Sequence, residues 1–291
     1  MLAVALCVTA SPAMATPAVL ATIKPIHSLV AGVMAGVGTP DLLIGGAASV
    51  HSYSFKPSDA RKIAGASVIF EVSPDLETYL NAPLRNLSHA KVVALASVPG
   101  VLRLPAREGG LWQKDADHSA PFDPHLWLDP QNAIAMTRAI AATLSAADPA
   151  HAHLYSQNAT RQITTLTALD GELRAKVAPV RARHYLVFHD AYQYFEHRYG
   201  LSAAGSVTVS PDRPVGPQRL VALRQSIAAG KATCLFREPQ FPPRLIDTLT
   251  EGHGIRVGVL DPLGADIASG PGLYPILMRQ LAQSLSTCLK P

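Results

Sequence analysis

Charged residues are scarce in this chain. Of its 291 residues only 16% are Asp, Glu, Lys or Arg, the formal net charge is +4, and no Lys/Arg run interleaves with aromatics. That excludes the electrostatic footprint of a nucleic-acid binder and leaves the slight basic balance as a solubility property. Cysteine is scarcer: Cys7, Cys234 and Cys288 are the only three, and none has the close spacing of a thiolate zinc site. No HExxH helix or other hydrolytic motif occurs, and no close internal repeat is visible. The N-terminal apolar stretch from Leu2 to Val8 is too short to span a bilayer.

What is present begins with that stretch. Followed by the small-residue site Ala13-Met14-Ala15, it reads as an export signal over residues 1–15, although a charged segment ahead of it is missing. Leu6 rather than a small residue precedes Cys7, which argues against lipoprotein processing. Cleavage after Ala15 leaves Cys234 and Cys288, and two cysteines in an exported chain most simply form one disulfide; two buried free thiols are the alternative. At 48% hydrophobic, the remainder suffices for two lobes with their own cores.

Strand-like runs "AVLATI", "DLLIG", "SVIFEV" and "KVVAL" alternate with helical segments near 27–37, 57–65 and 75–87. The alternation predicts βα units and a mostly parallel sheet. A polar stretch from Pro105 to Pro124 follows, and a loop of that length is usually functional or mobile. A helix capped by Asp129 and opened by Pro130 runs towards Ala147, and a second runs from Asp148-Pro149 to about Val177, long enough to be a strut between lobes. The alternation then resumes with "HYLVF", "SAAGSVTV", "ATCLF" and "IRVGVL", with helices near 191–199, 216–229, 242–251 and 273–288. The expected architecture is α/β: an N-terminal lobe over 16–147, a linking helix over 148–180 and a C-terminal lobe over 181–291.

Four residues recur at one kind of position. His51 follows "DLLIG", His125 follows the fourth strand and the polar loop, His189 follows the first strand of the second lobe, and Asp261 follows the last strand. Open α/β sheets bind ligands outside the carboxyl ends of their strands. Facing lobes would put His51 and His125 on one wall, with His189 and Asp261 on the other. Taken singly each is ordinary, but three imidazoles and a carboxylate suit tetrahedral Zn²⁺ and suit manganese or magnesium poorly. Glu238, after the seventh strand, could orient a ligand imidazole or cap a helix. His27, after the first strand, could stand behind the ligands at most.

"HSYSFKPSD", "HLWLDP", "FHDAYQYFE", "EPQF" and "LDPLG", in this order and spacing, resemble the zinc-binding, ZnuA-type branch of the cation-specific substrate-binding proteins of ABC transporters. The resemblance runs from about Val19 to Leu289. It implies two (βα)₄-type lobes joined by one long helix, with the metal between them. It also implies a periplasmic receptor that hands Zn²⁺, as cargo, to a membrane permease driven by an ATPase. Such a protein would be a monomer, meeting the membrane only by docking on the permease and binding no nucleic acid. By that match His51, His125 and His189 are ligands, the paired cysteines fit the zinc branch, and the fourth ligand is Asp261 or water. The Glu that some relatives carry just before the first His is Val50 here. Of the metal-gathering loop that relatives often carry, Asp115, Asp117, His118 and Asp123 remain. Two other classes compete: a three-His zinc hydrolase, which needs an open coordination position and a substrate pocket, and a metal-binding adhesin.

Overall fold

The computed structural model describes residues 16–85, 87–108, 111–112, 121–208, 211 and 215–290. The expected export signal, and the loop residues Asp115, Asp117 and His118, lie outside the described residues. Two four-stranded sheets organise the rest. β1 (Val19–Ile23), β2 (Asp41–Ile44), β3 (Val68–Glu71) and β4 (Lys91–Ala94) lie in the order β2-β1-β3-β4, and every pairing is parallel. β5 (Tyr185–His189), β6 (Gly205–Thr208), β7 (Cys234–Arg237) and β8 (Arg256–Val259) repeat the pattern as β6-β5-β7-β8, again all parallel. Parallel pairing demands helical crossovers. α1 (Lys24–Val33), α2 (Pro57–Gly65) and α3 (Asn81–Arg85) serve the first sheet, and α6 (Gln193–Tyr199), α7 (Pro217–Ala228) and α8 (Arg244–Thr250) serve the second.

Between the sheets run α4 (Pro130–Ala147) and α5 (Ala152–Val177), packed along each other, with α9 (Leu273–Cys288) against α5. Asp129 caps α4 by accepting from the Gln131 N–H at 2.8 Å, as its position before Pro130 predicts. α5 has 26 residues, about 39 Å at 1.5 Å per residue. The strut is thus one long helix, entered through a 3₁₀ turn at Pro149–His151.

One segment departs from expectation. In place of a helix over 75–87 the chain makes a 3₁₀ turn at Thr78–Leu80 and the five-residue α3. Glu77 is the reason: its buried carboxylate accepts from the Val72 N–H at 3.0 Å, the Ser73 N–H at 2.9 Å and the Thr22 hydroxyl, which caps the end of β3 and turns the chain back. Pro83, without an N–H, cannot donate to the turn before it and so breaks any longer helical ladder. The capped end of β3 faces the same way as the loop that carries His51.

A single apolar core runs from the first sheet through Trp127, Ile134, Leu166 and Leu173 to Tyr185, Phe236 and Tyr274 on the other side. A smaller cluster, including Phe188, Leu223, Leu235 and Leu249, fills the space under α7 and α8. Cys234 on β7 and Cys288 at the end of α9 are disulfide-bonded across 54 residues, as expected from their pairing in an exported chain. Gly258 permits that closeness, since a Cβ there would lie 2.5 Å from the Phe236 ring and 3.3 Å from the Cys288 sulfur. The chain-entropy model assigns a loop of this size about 4 kcal/mol, an upper value because native strain subtracts from it. Replacing both cysteines by serine should therefore lower the denaturation midpoint clearly. Two reactive thiols in the unreduced, denatured protein would disprove the bond.

Candidate metal centre

The three histidines converge. His51 sits in the loop between β2 and α2, half-buried; His125 immediately precedes a 3₁₀ turn at Leu126–Leu128; His189 is the last residue of β5. His125 and His189 are only 4% and 3% exposed. The Nε2 atoms of His51 and His125 stand 3.3 Å apart, as do those of His125 and His189. One ligand atom from each of the three rings lies within 4.8 Å of the others, a grouping that could hold a metal ion. A tetrahedral zinc with Zn–N bonds of 2.0–2.1 Å sets its nitrogens about 3.3–3.4 Å apart. The two 3.3 Å separations match the edges of such a polyhedron.

The far side of two rings is held by carboxylates. Asp123 Oδ1 lies 2.7 Å from His125 Nδ1 and also accepts from the His125 backbone N–H at 2.9 Å. Glu238 Oε1 lies 2.7 Å from His189 Nδ1. An ionised carboxylate only accepts, so each Nδ1 carries the proton and each Nε2 presents its lone pair inward. Two such lone pairs facing each other at 3.3 Å repel unless a metal ion draws on both or a proton bridges them. The donor set therefore fits a soft-to-borderline dication.

Electrostatics treats the two rings differently. Burial, reinforced by His189, holds the His125 imidazole well below its usual pKa, so it stays neutral. Burial also depresses His189, but the Glu238 carboxylate together with Asp190 and Asp123 outweighs it and the net shift is upward. Burial pushes Asp123 up to about 6, against the His125 N–H, which favours its ionised form. Arg107 pairs with Asp190, the neighbour of His189, and its Nη1 lies 2.6 Å from Glu196 Oε2, while its guanidinium stacks 3.7 Å over the Trp112 ring. The long segment after β4 is thereby fastened to α6 beside the site.

Asp261 is not brought into the cluster. Its Oδ1 accepts from Gln240 Nε2 at 2.7 Å and from the N–H groups of Leu263 and Gly264 at 2.9 and 3.0 Å; its Oδ2 accepts from the Ala265 N–H at 2.5 Å. The carboxylate organises its own turn. That turn is also gripped by Lys24, at the start of α1, whose amine donates to the carbonyls of Gly264, Ala265 and Ile267. His27 points elsewhere as well, its Nε2 3.0 Å from the Pro40 carbonyl. Glu238 takes the imidazole-orienting role rather than capping a helix. Sequence reasoning missed Asp123 as the partner of His125, although an Asp two residues before a buried His is well placed to accept from it.

Comparison with known proteins agrees with this geometry. The family model described as "Zinc-uptake complex component A periplasmic" matches residues 19–288. The High-affinity zinc uptake system protein ZnuA of Brucella abortus (strain 2308) is 44% identical over 305 residues, covering 93% of this chain and 91% of its own. In fold, the periplasmic zinc-binding protein TroA of Treponema pallidum matches with a TM-score of 0.82 at 23% identity, over 95% of this chain and all of its own. The laminin-binding protein of Streptococcus agalactiae, described as having adhesin and metal-transporting activity, matches at 0.79 and 24%, over 94% and 100%. Those two likenesses speak for the two-lobed fold. With the family model spanning nearly the whole chain, and a relative of that identity over nine-tenths of it, the chain belongs to the ZnuA family of zinc-uptake proteins.

Proposed function

We propose that the protein is the zinc receptor of an ABC importer, capturing Zn²⁺ in the periplasm and presenting it to a membrane permease driven by an ATPase. The observation that carries this reading is the convergence of three imidazoles, with the Nε2 of His125 3.3 Å from those of His51 and His189, and two of the rings backed by carboxylates. His51, His125 and His189 are the ligands in this reading, and the ion is cargo. The receptor works as a monomer, with lobes over 16–147 and 181–291 and the linking helix over 148–180 between them. Its relatives' description as zinc-uptake proteins supports the assignment.

The hydrolase reading needs a substrate pocket beside the metal. The cavity among the three histidines has room for about one water, and Trp127, Phe241 and Leu263 wall it. An adhesin role draws only on the shared fold.

The test is metal analysis and zinc titration of the mature chain with manganese as competitor. One tightly held zinc per chain, not displaced by a large excess of manganese, is expected because imidazole prefers zinc. Equal competition by manganese would overturn the reading.

A further inference from the structure

Three imidazoles leave a tetrahedral ion one position short, and an amide side chain lines the cavity around them. Gln240 lines the cavity together with His51, His125 and His189, whereas Asp261 does not. The Gln240 Nε2 donates to Asp261 at 2.7 Å. A carboxylate can only accept, so the amide cannot be turned the other way round, and its oxygen faces away from Asp261. That oxygen, Oε1, is buried and has no hydrogen-bond partner. A buried carbonyl left unmet is costly, and native proteins rarely keep one without a ligand or water to meet it.

We propose that Gln240 completes the zinc site by accepting a hydrogen bond from a water in the fourth coordination position, and that Asp261 is the positioning residue that sets the amide for it. The inference rests on zinc being held by the three histidines. A cation polarises the water it binds and makes it a strong donor, which an amide oxygen accepts well. The choice of amide over carboxylate has a chemical consequence. Three histidines and a water are the donor set of a hydrolytic zinc, which becomes active when a base takes the water's proton. An amide cannot take it. Gln240 can thus hold the water without itself acting as its base, as suits an ion that is to be passed on.

Four variants test this: Gln240→Leu, Gln240→Met, Asp261→Ala, and Gln240→Leu combined with Asp261→Ala. Zinc affinity is read by competition with a chelator, the fourth position by the visible absorption of the Co²⁺-loaded protein, and folding by the melting temperature without metal. Gln240→Leu and Gln240→Met should each weaken zinc binding about 10–100-fold, the scale of losses when a group supporting a metal site is removed. Both should shift the Co²⁺ band and leave the metal-free melting temperature in place. Asp261→Ala should cost at least as much, because it also releases the N–H groups of Leu263, Gly264 and Ala265. The double variant should cost little more than Asp261→Ala alone, because that change already removes the contact that sets the amide. Parent-like affinity and an unchanged Co²⁺ band in both Gln240 variants would sink the proposal. So would additive losses in the double variant, which would make Asp261 an independent ligand. If His189→Ala abolished binding while the Gln240 variants did not, the receptor reading would stand and only this inference would fall.

Discussion

His189→Ala should weaken zinc binding by at least about 100-fold, more than any substitution within residues 113–120. Removing a group that only supports a ligand typically costs 10–100-fold, and removing the ligand should reach or pass the upper end. The loss has two parts. One donor of three disappears, and Glu238, 1% exposed, is left with a carboxylate oxygen that no longer meets His189 Nδ1. Burying an unpaired charge is itself costly, so the vacated site should draw in water or a proton rather than collapse. His51, His125 and His189, and the carboxylates behind two of them, Asp123 and Glu238, all lie outside 113–120. Deleting that stretch should leave the tight site close to parental affinity. The check is a chelator-competition titration of the three proteins side by side. Tight binding that survived His189→Ala and vanished with the loop would place the metal elsewhere.

Lowering the pH from 7 to 5 should strip the zinc, in a way that reflects the unequal histidines. A ligand imidazole must be neutral, so protons compete with the ion. His189, raised above its usual 6.5 by Glu238, Asp190 and Asp123 in spite of burial, is the first to hold a competing proton. Affinity should therefore already be falling near neutrality, about tenfold per pH unit for one proton, and steepen as further protons compete. His125, held well below 6.5, contributes only at the acid end, so a limiting slope of three protons is not reached within this window. The metal-free fold follows a different sign. Burial pushes Glu71 and Glu77 up to about 7, so both bind protons more readily folded than unfolded, and their contribution to stability grows as pH falls from about 7 towards 4.5. His125 opposes them below 6.5, because its folded form resists protonation. The quantity to measure is thus the difference in melting temperature with and without buffered zinc, which should shrink as the affinity drops. A zinc affinity that stayed flat from pH 7 to 5 would exclude a site built from imidazoles.

The parts of this molecule legible in its sequence are those dictated by periodicity and topology. Apolar runs alternating with helical stretches specify parallel sheets, and parallel sheets put the residue after each strand at one edge, which is why His51, His125 and His189 could be singled out together. Side-chain direction is another matter. Asp261 occupies the same kind of position, but in "DPLG" its carboxylate meets the N–H groups of Leu263, Gly264 and Ala265, the local turn chemistry of an Asp ahead of Pro and Gly. Position along a strand is a backbone property; which way a carboxylate turns is decided by the nearest donors. Gln240 was illegible for the same reason, since its part depends on Asp261 across 21 residues of chain. Asp123 read as a weak surface ligand because its burial comes from Tyr194 on α6, whose hydroxyl donates to the Asp123 carbonyl at 2.7 Å.

The apolar core that passes unbroken from the first sheet through α4 and α5 to the second has a thermodynamic consequence. Domains that share only a thin polar contact melt separately, and a ligand then protects only the half that grips it. Here neither sheet can be uncovered without exposing side chains that also cover the other. The two halves belong to one cooperative unit, with the layer under α7 and α8 as a satellite. An ion bound at the cleft therefore lends its binding energy to the whole chain, far strands included, and its loss is felt as a lowered resistance to unfolding everywhere at once.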